Sequence, residues 1–387
     1  MTLNLDKSGW KHIAFGDVVK NLNITVRDAQ AAGIERVIAM EHLDPNELKI
    51  NRWGRSEDGS TFTRRVKPGQ TLFGKRRAYQ RKAAFAEFDA ITSGDILVFE
   101  ADDTQLLPEF LPFLVQSDGF YGHALGTSAG SLSPRTNWRD LASYRFDLPS
   151  LDEQKHLAGL LWAANSHKQA AKSAVKAMGV AIEQMVDALV SGSGAPRRPI
   201  GDILDVCQYG LSTRAGEDGA YPMLRMTNLC AGAVVDRGLK YCDISAAEFE
   251  NHRVLKGDVL FNRTNSAEHV GRSGIFDLDG DFVFASYLVR LRPDPSVVDS
   301  RFLNYFINSR AGQNLIRVHI SRGVQQANIS ASKLKMVRMP LPEMAEQASI
   351  VDRIDLLRTS QRESERLLLG AGRLCVALSR EIFGVVE

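Results

Sequence analysis

The chain is written twice, and that repetition limits it to two copies of one folded unit. Phe15-Gly16-Asp17-Val18 returns as Ile200-Gly201-Asp202-Ile203, 185 positions on. Arg65-Val66, Gly69, Leu72-Phe73 and Lys75 return as Arg253-Val254, Gly257, Leu260-Phe261 and Arg263 at an offset of 188. Phe110-Leu111 and Ser117 match Phe302-Leu303 and Ser309 at 192. Gly130, Leu141, Arg145, Leu148-Pro149 and Glu153-Gln154 match Gly323, Leu334, Arg338, Leu341-Pro342 and Glu346-Gln347 at 193. The offset only rises, in small steps, as a duplicated unit with short loop insertions requires. Chance matches would scatter in both directions.

Each copy ends in a long helical pattern. Leu148-Pro149 and Leu341-Pro342 stop a strand, and Asp152 is placed to cap the helix that follows. Leu157, Leu161, Ala164, Lys168, Ala171, Val175, Met178, Ile182, Met185 and Leu189 recur at alternating spacings of four and three. The second copy gives Ile350, Ile354, Leu357, Gln361, Ser364, Leu368, Ala371, Cys375, Leu378 and Ile382. This is the seam of a coiled coil sustained over four heptads. Lys168 and Gln361 fall at the same seam position, where a polar pair either fixes register or marks a frayed, solvated layer. Between the copies lies Ser191-Gly-Ser-Gly-Ala-Pro-Arg-Arg-Pro199, a flexible stretch that reaches at most ~30 Å. A helix of this length spans roughly 60 Å. The second globule is therefore expected near the far end of the first helix, with the second helix returning antiparallel. The expected α+β architecture has two pseudo-repeated α/β domains, 1–150 and 200–342. Helices 151–191 and 343–387 form an antiparallel coiled coil, joined through linker 192–199. Strands are predicted at 36–40, 70–73, 96–100, 258–261 and 282–290, with short helices at 108–116 and 300–308.

Composition admits this and excludes other classes. At 387 residues, 44% apolar and 24% charged, the chain has the make-up of a globular protein of two or three domains. No apolar run approaches ~18 residues, so no membrane span is predicted. MTLNLDKSGW lacks the layout of a signal peptide. Cys207, Cys230, Cys242 and Cys375 are scattered without ligand spacing, which reads as reduced core thiols in a cytoplasmic protein and no metal site.

The net charge of +2 conceals a strong segregation. Arg64–Lys82 holds eight basic residues and no acid, whereas Ala83–Pro134 holds eight acids and no Lys or Arg. Ser300–Pro342 has seven basic residues and again no acid. Such segregation builds local fields suited to a polyanion at two places. Gly69–Lys75 also has the Gly-x-x-x-x-Gly-Lys opening of a phosphate loop, but Arg76 stands where a Mg²⁺-binding hydroxyl is needed. Its repeat, Gly257-Asp-Val-Leu-Phe-Asn-Arg263, lacks both the second Gly and the Lys. What the copies share is a strand followed by a cation.

At these residues the chain resembles the specificity subunit of type I restriction–modification systems. The resemblance is carried by Gly69-Gln-Thr-Leu-Phe-Gly-Lys-Arg-Arg-Ala-Tyr79, Gly257-Asp-Val-Leu-Phe-Asn-Arg-Thr-Asn-Ser266, Val270-Gly271, Gly323-Val-Gln-Gln-Ala-Asn-Ile329 and the two Leu-Pro…Glu-Gln helix openings. Leu148-Pro149-Ser150-Leu151 departs slightly from the usual double-proline form. The resemblance covers nearly the whole chain. It implies two target-recognition domains on an antiparallel helical spacer, each reading half of a split target in double-stranded DNA. It also implies helices that dock two methyltransferase subunits, with restriction subunits completing the complex. S-adenosylmethionine would be used by the methyltransferase, ATP and Mg²⁺ by the restriction subunit, and no cofactor by this chain. A type II (type IIB-like) enzyme using a similar specificity subunit is the alternative, and a coiled-coil scaffold without DNA binding is a third reading.

The expected DNA-binding residues are Lys75, Arg76, Arg77, Tyr79, Arg81 and Lys82 after the first strand, with Arg135 and Asn137 from the loop begun by Gly130. The second copy adds Asn262, Arg263, Asn265 and Arg272, then Arg322, Gln325, Gln326 and Asn328. Basic side chains suit phosphates and guanine O6/N7, and amides suit adenine edges. A catalytic role is not expected. Asp147…Glu153-Gln-Lys155 loosely mimics a nuclease pattern, but its repeat, Glu346-Gln-Ala348, has no Lys. No Asn/Asp-Pro-Pro-aromatic loop of an amino-methyltransferase is present.

Overall fold

The protein is described from a computed structural model, which covers residues 5–192, 194–266, 268–322 and 326–384. It divides into two compact units, one of residues 1–173 with 366–387 and the other of 174–365. Each unit therefore owns an α/β globule and a piece of both long helices, Leu151–Ser191 and Met344–Phe383.

In the first unit the main sheet runs Val19–Leu22, Ile96–Ala101, Thr71–Gly74, Ala83–Phe85, antiparallel throughout. The second unit keeps that order with Leu204–Tyr209, Leu288–Pro293, Val259–Asn262, Ser273–Ile275, then adds Ala233–Val234 and Leu229–Cys230 at one edge. Strand alternation explains the repeated Leu-Phe pair, because successive side chains point to opposite faces. Phe73 joins Phe15, Phe99, Phe110 and Phe120 in one core, while Leu72 joins Ile38, Val66 and Val98 in another. Phe261 and Leu260 divide in the same way between two cores of the second unit. The repeated Gly69 and Gly257 turn into these strands with φ of 86° and 89°, a region that disfavours side chains. A side chain at Gly16 would also put its Cβ 2.8 Å from that of Ala142.

The Leu-Pro…Glu-Gln signature has a structural cause. Gln154 is fully buried: its Oε1 accepts from Leu107 N at 2.8 Å, and its Nε2 donates to the carbonyls of Gln105 and Pro149. Gln347 repeats this with Asp299 N, Val297 O and Pro342 O. One amide thus ties helix start, strand end and the preceding loop together. Asp152 does not cap the helix as its sequence suggests. The helix begins at Leu151, and Ser150 just before it caps the start: its carbonyl accepts from Gln154 N and its hydroxyl from Glu153 N. The predicted strand 282–290 is broken into Val283–Phe284 and Leu288–Pro293 by a turn closed by Leu288 N to Ala285 O. The first short helix starts at Leu111, later than predicted, while Ser300–Asn308 is as predicted.

Within the first unit, Leu157, Leu161 and Ala164 pack in the same core as Leu378 and Ile382, with Leu368 half-buried nearby. In the second unit, Ile182, Val186 and Val190 meet Ile350, Val351 and Ile354, with Met178 and Leu357 against them. The start of one helix lies by the end of the other in the first unit and the reverse holds in the second, so the pairing is antiparallel. Val175 is half-buried. Two details of the expected seam are corrected. Met185 is 43% exposed and Val186 takes its place, because here the first helix also packs on the α/β core with Phe302 and Phe306. Lys168 and Gln361 are not paired: antiparallel helices place equal heptad positions in mirrored layers. Lys168 reaches the Glu47 carboxylate, whereas Gln361 bonds Arg358 and Glu365. The cysteines are not uniformly core residues, since Cys242 is buried but Cys230 is exposed. Among the described residues no helix is long and apolar enough to cross a membrane.

Candidate nucleic-acid interface

The phosphate-loop resemblance has no cradle behind it. Thr71–Gly74 is a buried strand whose backbone is paired on both sides, so its N–H groups are not available to a phosphate. The chain then leaves the sheet, and a second segment comes up beside it. Lys75 N donates to Asp95 O at 3.0 Å, and Thr136 N donates to Lys75 O at 3.1 Å. Arg76 and Arg135 face each other in an antiparallel bridge, and Arg77 N donates to Pro134 O. Ala129 and Arg135 close the returning segment with a pair of backbone bonds. Arg77 sits at φ 54°, a strained conformation for a non-glycine residue and one frequent at functional sites. Tyr79 follows on a short turn, 55% exposed.

The side chains here are cross-linked. Asp95 carries Arg76 on one oxygen, at 3.6 Å, and Arg135 on the other, at 3.3 Å. Arg76 Nε also donates to Ser133 Oγ at 2.6 Å. Both guanidiniums remain about half exposed. Sequence reasoning misses both Asp95 and Ser133; the only signal in the chain is that the 192 offset sets Asp95 against Tyr287.

The second unit builds the same scaffold from other side chains. Arg263 N donates to Tyr287 O and Ile329 N to Arg263 O, the counterparts of the two Lys75 bonds. Thr264–Asn265 pairs with Ala327–Asn328, which pairs in turn with Ser321–Arg322. Thr264 and Asn328 thus occupy the places of Arg76 and Arg135. Arg263 lies over the Tyr209 ring at 4.8 Å, and Gln326, Asn328 and Arg272 are exposed. Gln325 lies outside the described residues, and of Arg322 only the backbone pairing is described.

Several of the expected DNA-binding side chains are instead used by the fold. Arg81 pairs with Asp118 at 2.9 Å, donates to Gln116 O and stacks over Tyr121. Lys82 Nζ donates to Met40 O at 2.7 Å. Asn137 caps the helix Trp138–Ala142 through Asp140 N. Asn262 is 3% exposed and donates to His269 O, and Asn265 is occupied by Ser266 N and the Met226 sulfur. Each has a backbone, sulfur or charged partner within reach, and for the half-buried Arg81, Lys82 and Asn265 and the buried Asn262 burial favours that partner over solvent. The nuclease-like residues do not converge either: Asp147 pairs with His12, and Glu153 accepts from Trp10 Nε1.

The first unit also has a groove of about 1060 Å³ along its helix pair. Glu47 is held there by Lys168, Lys172 and Gln169, and Asp118 by Arg81 and Arg380. Burial opposes ionisation of Glu47, but the hydrogen bond from Lys172 and the charge of Lys168 outweigh it and hold its carboxyl below the usual range. Leu367, Leu369 and Val376 of the second helix are exposed in this unit.

The duplicated α/β fold with its paired long helices carries, in each unit, one two-segment polar surface whose side chains differ between the copies. Residues 197–367 match the model of the type I restriction modification DNA specificity domain. The chain is 30% identical over 156 residues to the protein named as the putative type I restriction enzyme MjaX specificity subunit of Methanocaldococcus jannaschii, an alignment covering 40% of this chain and 37% of that one. It is 26% identical over 283 residues to the EcoKI specificity subunit of Escherichia coli K12, covering 65% and 60%. It thus spans less than two thirds of the length of each. A solved chain from work on complex assembly and conformational transition of the type I R-M system has the same fold, with a TM-score of 0.65 at 19% identity over 98% of this chain and 99% of that one. Residues 197–367 thus carry the type I restriction modification DNA specificity domain, and similarity to type I specificity subunits extends over 65% of the chain.

Proposed function

We propose that the chain is the non-catalytic, cytoplasmic DNA-recognition subunit of a type I restriction–modification complex. Each unit reads one half of a bipartite duplex target, and the long helices dock methyltransferase subunits, with restriction subunits joining the assembly. S-adenosylmethionine, ATP and Mg²⁺ belong in this reading to those partners. The observation that carries it is the repeated two-segment surface. Its scaffold is the same in both units while its side chains differ: half-buried Lys75 and Arg76 with exposed Arg77 and Arg135 in one, half-buried Arg263 with exposed Gln326 and Asn328 in the other. Cations there suit phosphates and guanine edges, and amides suit adenine. Exposed Leu367, Leu369 and Val376 support a protein partner along the helices.

The test is the salt dependence of binding to random duplex DNA. Lys75→Ala, Arg76→Ala and Arg77→Ala together should weaken binding and lower the log–log salt slope by about 0.9 for each phosphate no longer neutralised. Arg81→Ala should chiefly destabilise the fold, since its charge is paired internally. If the triple variant matched the parent in affinity and slope, this surface would not be where DNA binds.

A further inference from the structure

The arginines of the first unit are held differently from any side chain at the matching place in the second. Asp95 takes Arg76 and Arg135 on separate carboxylate oxygens, and the two come from segments far apart in sequence. Arg76 donates its Nε to Ser133 Oγ and lies in ion-pair range of Asp95, and Arg135 lies in ion-pair range of Asp95 through one terminal nitrogen. A guanidinium has five N–H donors, so each keeps a fork with which to meet a flat acceptor pair. The second unit has Tyr287, Thr264 and Asn328 at these three positions. Acid and arginines therefore come and go as a set, whereas the backbone bonds around them persist in both units. A carboxylate needed only to hold the two segments together would be needed in the second unit too.

We propose that Asp95 is the positioning residue of the first unit's DNA-reading surface, fixing Arg76 and Arg135 to read guanine in that unit's half of the target. The inference rests on the DNA-recognition reading above. A charged side chain tethered at one nitrogen loses less freedom when it docks on a base, and a bidentate arginine fits the O6 and N7 of guanine. The acid also lowers the net charge of the surface, which weakens attachment to phosphates at large and shifts binding from strength to selectivity.

The test is enrichment of the full chain on a pool of randomised duplex DNA, read by sequencing. The first unit's half-site is identified as the half whose selection disappears on Arg76→Ala. The parent should select guanine within that half. Asp95→Ala and Asp95→Asn should lose that selection by at least about fivefold at one or two positions. They should bind unselected duplex as well as the parent or better, and leave the other half-site unchanged. Arg76→Lys with Arg135→Lys keeps the charges but not the forks; it should lose the guanine selection while keeping the salt slope. Unchanged selection in the Asp95 variants overturns the positioning role, and so does a uniform loss of binding to all sequences, which a bond that merely holds the fold would give. A parent chain that enriches no sequence overturns the DNA-recognition reading itself.

Discussion

Asp258 shows how one position of the repeat was reused with different chemistry. Its first-unit counterpart, Gln70, is buried and donates to Glu100. Asp258 is 1% exposed and instead takes Arg292 through two bonds of 2.7 and 2.8 Å while accepting from Leu255 N. The turn before the strand is closed by the same backbone-to-side-chain bond in both, Lys67 N to Gln70 and Leu255 N to Asp258. Asp258→Ala leaves a half-buried guanidinium without its partner and should cost about 3–5 kcal/mol in urea denaturation. Glu47 offers a pH test. Its carboxyl is held below the usual range, so the folded form binds its proton more weakly than the unfolded chain does. Its stabilising contribution is complete at neutral pH and is lost as pH falls through that lowered value. Glu47→Gln should therefore lower thermal stability at neutral pH by about 1 kcal/mol and by much less in acid. A parallel loss at both pH values would place its effect elsewhere. Thiol labelling should find Cys230 first, because burial pushes the thiols of Cys207, Cys242 and Cys375 up.

At the scale of elements, each long helix is anchored at its start by a buried glutamine. Gln154 and Gln347 each satisfy three backbone groups in a dry site, one N–H and two carbonyls. Gln154→Leu keeps the volume but strands all three, at about 1–3 kcal/mol each. It should destabilise the first unit by about 3 kcal/mol or more and speed hydrogen exchange at Leu107. Gln347→Leu should do the same at Asp299 and leave Leu107 protected. Exchange that stayed slow at both amides would mean that water replaces the glutamine. The basic segment after the strand Thr71–Gly74 is an element in the same sense. Its backbone is pinned by the returning segment at 129–136, so Arg76 and Arg135 are carried by two backbone-paired segments and not by a loose loop.

For the whole molecule, duplication implies separable readout. Replacing residues 1–150 by the matching domain of a relative should change one half of the selected DNA sequence and leave the half read by residues 197–340 intact. Enrichment on a randomised duplex pool would measure it, and a change in both halves would mean that the units do not read independently.

Periodicity and self-comparison reveal local order, and here they revealed much of it. The duplication, the strand and cation after each repeated glycine, the long helices and their antiparallel course were all legible, because each is set by spacing along the chain. Every expected seam position of the second helix, from Ile350 to Ile382, is buried or half-buried. What charge counting could not tell was how each charge is used. Arg81 and Lys82 stand close to Lys75 and Arg76 in sequence, but they face Asp118, Tyr121 and Met40, brought near by folding alone. Asp95 was hidden in an acidic run for the same reason, since its partners lie 19 and 40 residues away. Composition supplies the groups and periodicity assigns their faces. Only tertiary packing decides which charges find a buried partner and which remain for another molecule, because the desolvation of each depends on neighbours distant in the chain.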